Sequence, residues 1–300
     1  MNAMNMFDPH IHMTSRTTDD YQAMRAAGIS VVIEPAFWMG QPRTHVGSFD
    51  DYFLSLLGWE RFRASQFGIR HFCTMGLNPK ETNNPDVADG VIALLERYLE
   101  KDGVVGVGEI GFDDLTAAEE KYFVIQLELA RKYELPVLVH TPHRDKKAGT
   151  RRTLDIIREC GIPDERVLID HNTEETLPLV LERGCWAGHS IYPDTKMDEP
   201  RMVAIVKQYG SERIIINSAA DWGVSDPLKV PKTVAAMRAA GIDERTIHTI
   251  VWDNPYAFFA QSGRLDVPND ERRLQVDQRL NFEGNSVLRG QAPKIEVENA

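Results

Sequence analysis

Eight short β-rich runs, each followed by a helical stretch, constrain this chain more than any other feature. The runs cover residues 6–11, 30–33 (SVVI), 71–77, 103–110, 136–140 (PVLVH), 166–171 (RVLIDH), 185–189 and 213–218 (RIIINS). Thr18 reads as the cap of the helix DDYQAMRAAG, which Gly28 ends. Residues 49–66 read as a helix stopped by Gly68, and residues 117–132 as another. Within residues 86–100, Val91, Leu94, Leu95, Tyr98 and Leu99 recur at helical spacing. The β-rich runs are apolar throughout rather than alternating, as parallel strands covered on both faces are. Eight β–α units in about 240 residues match the α/β fold of a (β/α)8 TIM barrel in count and length. A doubly wound open sheet is the competing arrangement, because alternation alone does not close a barrel. The expectation is a single barrel domain over residues 1–264. The mostly polar residues 265–300 then form a C-terminal extension that packs on the barrel or a partner, against the alternative of a loose tail.

Composition narrows the class. Of 300 residues, 42% are hydrophobic and 26% charged, which allows a large buried core. No apolar run reaches the roughly 18 residues of a membrane span. The opening MNAMNMFDPH lacks a charged n-region and an apolar h-region, so a cytoplasmic location is expected. Cys73, Cys160 and Cys185 are far apart and form no metal-finger spacing, which reads as reduced structural thiols. A formal net charge of −11 without a Lys/Arg-rich block disfavours nucleic acid, whose phosphates call for a basic surface. A small-molecule substrate is the expected partner, and self-association through the extension a further one.

In a barrel, chemistry sits where strands end. His10, His12, His140, His143, His171 and His189, six of the nine histidines, fall at such ends. Each has an ordinary reading alone. The H-x-H of FDPHIH is as readily a solvated strand edge, and His140 a satisfied core histidine. Asp113, Asp114 and Asp221 fit loop or cap positions. Glu109 is different: in the apolar, glycine-rich VVGVGEIG an unpaired carboxylate is costly, so it needs a cation or donors. Jointly, His10, His12, Glu109, His140, His171 and Asp221 make a ligand set for one or two divalent ions. Imidazole with carboxylate suits zinc, manganese, nickel or iron above calcium, and zinc or manganese is expected. Two ions about 3.5–4 Å apart need a bridge, which the two oxygens of Glu109 can supply. His143, Arg144 and His189 are candidate substrate contacts, Asn172 and Glu174 candidates for the site's surroundings, and Asp8 a residue to orient a histidine. His45 and His71 are read as surface or core residues and His248 as structural. Asn254-Pro255 reads as a helix start capped by Asn254.

These motifs together resemble the TatD-like family of metal-dependent hydrolases within the amidohydrolase superfamily, over residues 6–265. The family's D-x-H-x-H matches Asp8, His10 and His12, and its G-E-I-G-L-D matches Gly108 to Asp113. Its following helix is echoed by Phe123, Gln126, Leu129 and Ala130. Its L-P-V-x-x-H is seen at Leu135, Pro136, Val137 and His140, with Arg144 near the family's arginine, and its N-P-x-x-x-F at Asn254, Pro255 and Phe259. The resemblance implies a barrel, a hydrolytic reaction and two ligand groups: His10, His12, Glu109 and Asp221 around one cation, and Glu109, His140 and His171 around the other. Three places depart from the family. Asn78 stands where G-x-H-P has histidine, NTEE follows His171 in place of C-F-S-G, and NSAAD replaces E-T-D, so that Asp221 lies two residues late. The expected function is a metal-dependent hydrolase using metal-activated water, with Asp221 as general base. Its expected substrate is a small-molecule ester, amide or phosphoester. Alternatives are a TatD-like deoxyribonuclease and a non-catalytic metal-binding assembly component.

Overall fold

The structure, a computed structural model, describes residues 4–267. Each apolar run forms a strand: β1 (Met6–Asp8), β2 (Ile29–Pro35), β3 (Arg70–Met75), β4 (Val104–Gly111), β5 (Val137–His140), β6 (Val167–Ile169), β7 (Trp186–Ser190) and β8 (Ile214–Asn217). They pair in parallel in the order β1 to β8. Past the strand ends the ring is joined. Ala219 N–H donates to the His10 carbonyl at 2.8 Å, and His12 N–H to that of Ala220 at 2.9 Å. This is a (β/α)8 TIM barrel.

Burial on both faces explains the unbroken apolar runs. Phe7, Val31, Ile33, Phe72, Val105, Leu138, Leu168 and Ile215 fill the barrel, with Trp252, Phe258 and Phe259 packed onto them. Their strand neighbours, such as Val137, Val139, Ile169, Ile214 and Ile216, face the helices. Leu265 and Val267 pack against the inner cluster. The rest of the expected extension lies outside the described residues. Among the described residues, no helix is long and apolar enough to cross a membrane.

Several boundaries differ from expectation. β1 ends at Asp8, which leaves His10 and His12 on the segment beyond it. Helix α1 (Thr18–Ala27) is capped by Thr17, reciprocally with Asp20. The helix expected at 49–66 is α2 (Val46–Ser55), a π turn (Leu56–Glu60) and α3 (Arg61–Ser65). Asn254 does not cap a helix start. Helical residues run from Glu244 through a π turn (Thr249–Asp253) into Asn254–Ala260, and the widened turn accommodates the missing N–H of Pro255. Asn254 instead donates through Nδ2 to the carbonyls of Ser211 and Ile214, both at 2.7 Å, and so pins the entry to β8.

Candidate metal centre

At the C-terminal ends of the strands, four imidazoles converge on one carboxylate. Glu109 Oε1 lies 3.0 Å from His140 Nδ1, 3.1 Å from His171 Nε2 and 3.5 Å from His10 Nε2. His10 and His12 face each other Nε2 to Nε2 at 3.2 Å, and His171 Nε2 faces His140 Nδ1 at 3.1 Å. All five side chains are buried. Their atoms form two clusters compact enough for a cation, His10/His12/Glu109 and Glu109/His140/His171, with Glu109 common to both.

The donor chemistry fits a divalent ion. Within each facing pair of ring nitrogens, at most one can donate to the other without double protonation, and a buried carboxylate oxygen sits beside both pairs. A tetrahedral ion with bonds of about 2.0–2.1 Å holds nitrogen ligands roughly 3.4 Å apart, close to the separations seen. Burial opposes ionisation of Glu109, but His140 and His10 outweigh it and hold the carboxyl well below the usual range.

The surroundings orient these donors. Asn78 Nδ2 donates to Glu109 Oε2 at 2.8 Å. The Gln126 side chain of the helix Ala117–Lys132 accepts from Leu77 N–H at 2.6 Å and donates to its carbonyl at 3.2 Å, which fixes the loop carrying Asn78. Asp170, just past β6, meets His10 Nδ1 at 2.5 Å. It also accepts from His171 N–H at 2.7 Å and from Asn217 Nδ2 at 3.0 Å. Burial opposes its ionisation too, yet His171 and His10 keep it an anion. His171 sits at φ +60°, in the left-handed region that non-glycine residues rarely occupy. Its carbonyl accepts from Lys146 Nζ at 2.9 Å, and its Nδ1 lies 2.7 Å from Ser190 Oγ. Gly188 makes room for Asp170, since a Cβ there would stand 2.5 Å from Oδ1.

Asp170 therefore takes the part expected of Asp8. Asp8 accepts backbone N–H groups of Ser218 at 3.1 Å and His10 at 3.4 Å, and burial pushes its carboxyl up to about 7. The buried-carboxylate argument that singles out Glu109 applies equally to Asp170 in RVLIDH.

A cavity of about 460 Å³ opens over the cluster. Asp221 lines it but joins none of the cation-holding clusters among the described residues. Its Oδ1 accepts from Tyr192 Oη and from Gly223 N–H, each at 2.8 Å. The residue bonded to His10 after β8 is Ala219, which has no ligand atom in its side chain. His143 lines the cavity and stacks on His171 with ring centres 6.0 Å apart. Arg144 does not line it, because it sits on an exposed turn ahead of the helix Lys146–Glu159. His189 is buried but points the other way. Trp186 packs inside the barrel, Gly188 abuts Asp170 and Ser190 meets His171, so strand parity turns His189 outward with Ala187. Asn172 is tied to backbone carbonyls of Ile169 and Gly188, and Glu174 pairs with Arg201 at 2.6 Å. His71 is a core residue, 2.7 Å from Glu34. Phe37, Trp38, Lys80, Tyr192 and Lys196 also line the cavity. Four of them come from loops and Lys80 from the 3-10 turn Pro79–Glu81, where strand-end reasoning gives no signal.

The sequence model of the family described as TatD related DNase matches residues 7–260. An uncharacterised metal-dependent hydrolase of Methanocaldococcus jannaschii is 29% identical over 257 residues, spanning 85% of this chain and 99% of that protein. The crystal structure of a TatD-like protein from Archaeoglobus fulgidus superposes with a TM-score of 0.71 at 28% identity, covering 84% of this chain and 99% of that one. A phosphotriesterase homology protein from Escherichia coli shares the fold alone, with a TM-score of 0.62 at 14% identity over 86% of this chain and 100% of that one.

Proposed function

This chain belongs to the TatD related DNase family and is a metal-dependent hydrolase, and from that premise we propose that it cleaves a small-molecule ester, amide or phosphoester at the cavity over Glu109. The observation that carries this reading is the convergence of His10, His12, His140 and His171 on one buried carboxylate. His10, His12 and Glu109 would hold one divalent ion, and Glu109, His140 and His171 a second, with zinc or manganese matching the donors. Such an ion supplies acidification of water and polarisation of the scissile carbonyl or phosphoryl oxygen.

The protein's own groups supply the rest. Asp170 holds His10 with its Nε2 toward the cluster, and Asn78 holds Glu109 so that Oε1 faces inward. Asp221 acts from the cavity wall rather than among the ligands. Tyr192 and Gly223 occupy its Oδ1, which leaves Oδ2 to take the proton of the attacking water. His143, on the rim, contacts the substrate beside His171.

Phosphodiester hydrolysis on DNA is the second reading, favoured by the family's description. The charge of −11 and the 460 Å³ volume of the cavity favour a small substrate instead. Metal content of protein purified without added metal, followed by activity screens on esters, amides, phosphoesters and single-stranded DNA at low salt, tests both. A His10→Ala, His12→Ala double variant is expected to lose bound metal and activity. Unchanged metal content in that variant would sink the ligand assignment.

A further inference from the structure

Lys196 reaches the cavity from the loop between β7 and the helix Glu199–Tyr209. That loop is pinched at its base: Tyr192 N–H donates to the Met197 carbonyl at 3.0 Å, and Met197 N–H to that of Ser190 at 3.2 Å. The Lys196 ammonium lies 5.0 Å from the centre of the Tyr192 ring, whose hydroxyl is fastened to Asp221. Two cavity lysines differ in one respect. Lys80 is committed to Asp113 at 2.6 Å and lies over Trp38, whereas Lys196 forms no ion pair with a carboxylate among the described residues. Lys196 shares the lining of this cavity with His10, His12, Glu109, His140 and His171. The ammonium thus lies within electrostatic reach of both halves of the donor cluster.

The charge balance then demands an anion. Four neutral imidazoles bring no charge, so the carboxylates of Glu109, Asp170 and Asp221 set three negative charges against the four positive charges of the two divalent cations that the clusters would hold. An uncommitted ammonium adds another, in a cavity where burial makes unbalanced charge costly. We propose that Lys196 binds an oxyanion of the substrate, a phosphate or a carboxylate carried beside the scissile bond, and so selects small acidic substrates over neutral ones. The proposal rests on the hydrolase reading for the statement that this oxyanion belongs to a substrate. Oxyanion binding itself does not depend on turnover.

The test compares the native protein with Lys196→Met and Lys196→Arg, each metal-free and zinc-loaded. Calorimetric titration with inorganic phosphate and with acetate reads the affinity, and metal content and thermal midpoint are measured on the same samples. Lys196→Met is expected to weaken the preferred oxyanion about tenfold or more, and Lys196→Arg to restore most of the loss, with metal content and midpoint unchanged. The phosphate and acetate arms show which oxyanion the site takes. Native-like affinity for both anions in Lys196→Met overturns the proposal. So does a loss matched by an equal fall in metal content or thermal midpoint, which would make Lys196 a support of the loop. If Lys196→Met loses phosphate while the native protein hydrolyses no ester, amide or phosphoester, the oxyanion site stands and the substrate reading fails.

Discussion

Asp170 and Gly188 work as a pair at the scale of single residues. The carboxylate holds His10 by its outer nitrogen, and the missing side chain on the neighbouring strand lets it lie there. Asp170→Asn keeps the shape but removes the charge that orients His10. It is expected to lower zinc affinity about 10–100-fold, measured by competition with a chelator of known affinity, with the circular dichroism unchanged. Gly188→Ala should act in the same direction, because its methyl would meet Oδ1 at 2.5 Å. Native zinc affinity in Asp170→Asn would mean that the ring is oriented elsewhere. Much of this was readable from sequence as a need rather than a contact. A carboxylate at the end of the apolar run RVLID requires a partner. That its partner is a ring 160 positions earlier depends on how β1 and β6 lie across the barrel.

Among elements, side-chain bonds hold a segment beyond the strands in place. The loop from β2 to α2, which brings Phe37 and Trp38 to the cavity, is fastened by Arg43. Its guanidinium donates to Glu81 Oε2 at 2.7 Å and to the Phe37 carbonyl at 2.9 Å, and it lies 4.3 Å from the centre of the Tyr52 ring. Burial raises the Glu81 carboxyl, and Arg43 opposes that rise. Arg43→Ala would leave a buried carboxylate without its cation and is expected to cost about 3–5 kcal/mol in urea unfolding. A loss below about 1 kcal/mol would instead mark the pair as solvent-screened. Helix and strand positions followed from periodicity within a few residues, which local sequence records well. The π turns at Leu56–Glu60 and Thr249–Asp253 did not, because one added residue in a turn leaves the apolar period almost unchanged. Nor did the outward turn of His189, since a strand-end histidine faces the site only if its parity matches that of the inward residues.

The whole molecule closes through the bonds between the segments that follow β1 and β8, and two of the cysteines lie in the core between the strands and the helices. Cys73 and Cys185 are fully buried, and burial pushes both thiols up, Cys185 to about 12. Cys160 is half-buried, with a smaller upward push. Because the thiolate is the reactive form, a raised pKa leaves less of it at any given pH. A thiol reagent at pH 8 is therefore expected to label Cys160 alone in the native protein, and Cys73 and Cys185 only as denaturant unfolds the whole barrel. Early labelling of Cys185 would reveal local opening at β7. The sequence by itself determined the number and order of the β–α units and placed histidines and carboxylates at strand ends, because those patterns arise from backbone geometry and burial over a few residues. Only the tertiary structure decided which of them meet. It brought Glu109 to four imidazoles, set Ala219 rather than an acid beside His10, and turned Asp221 to Tyr192. Those meetings depend on register, parity and ring closure between residues as much as 209 positions apart, which no local pattern encodes.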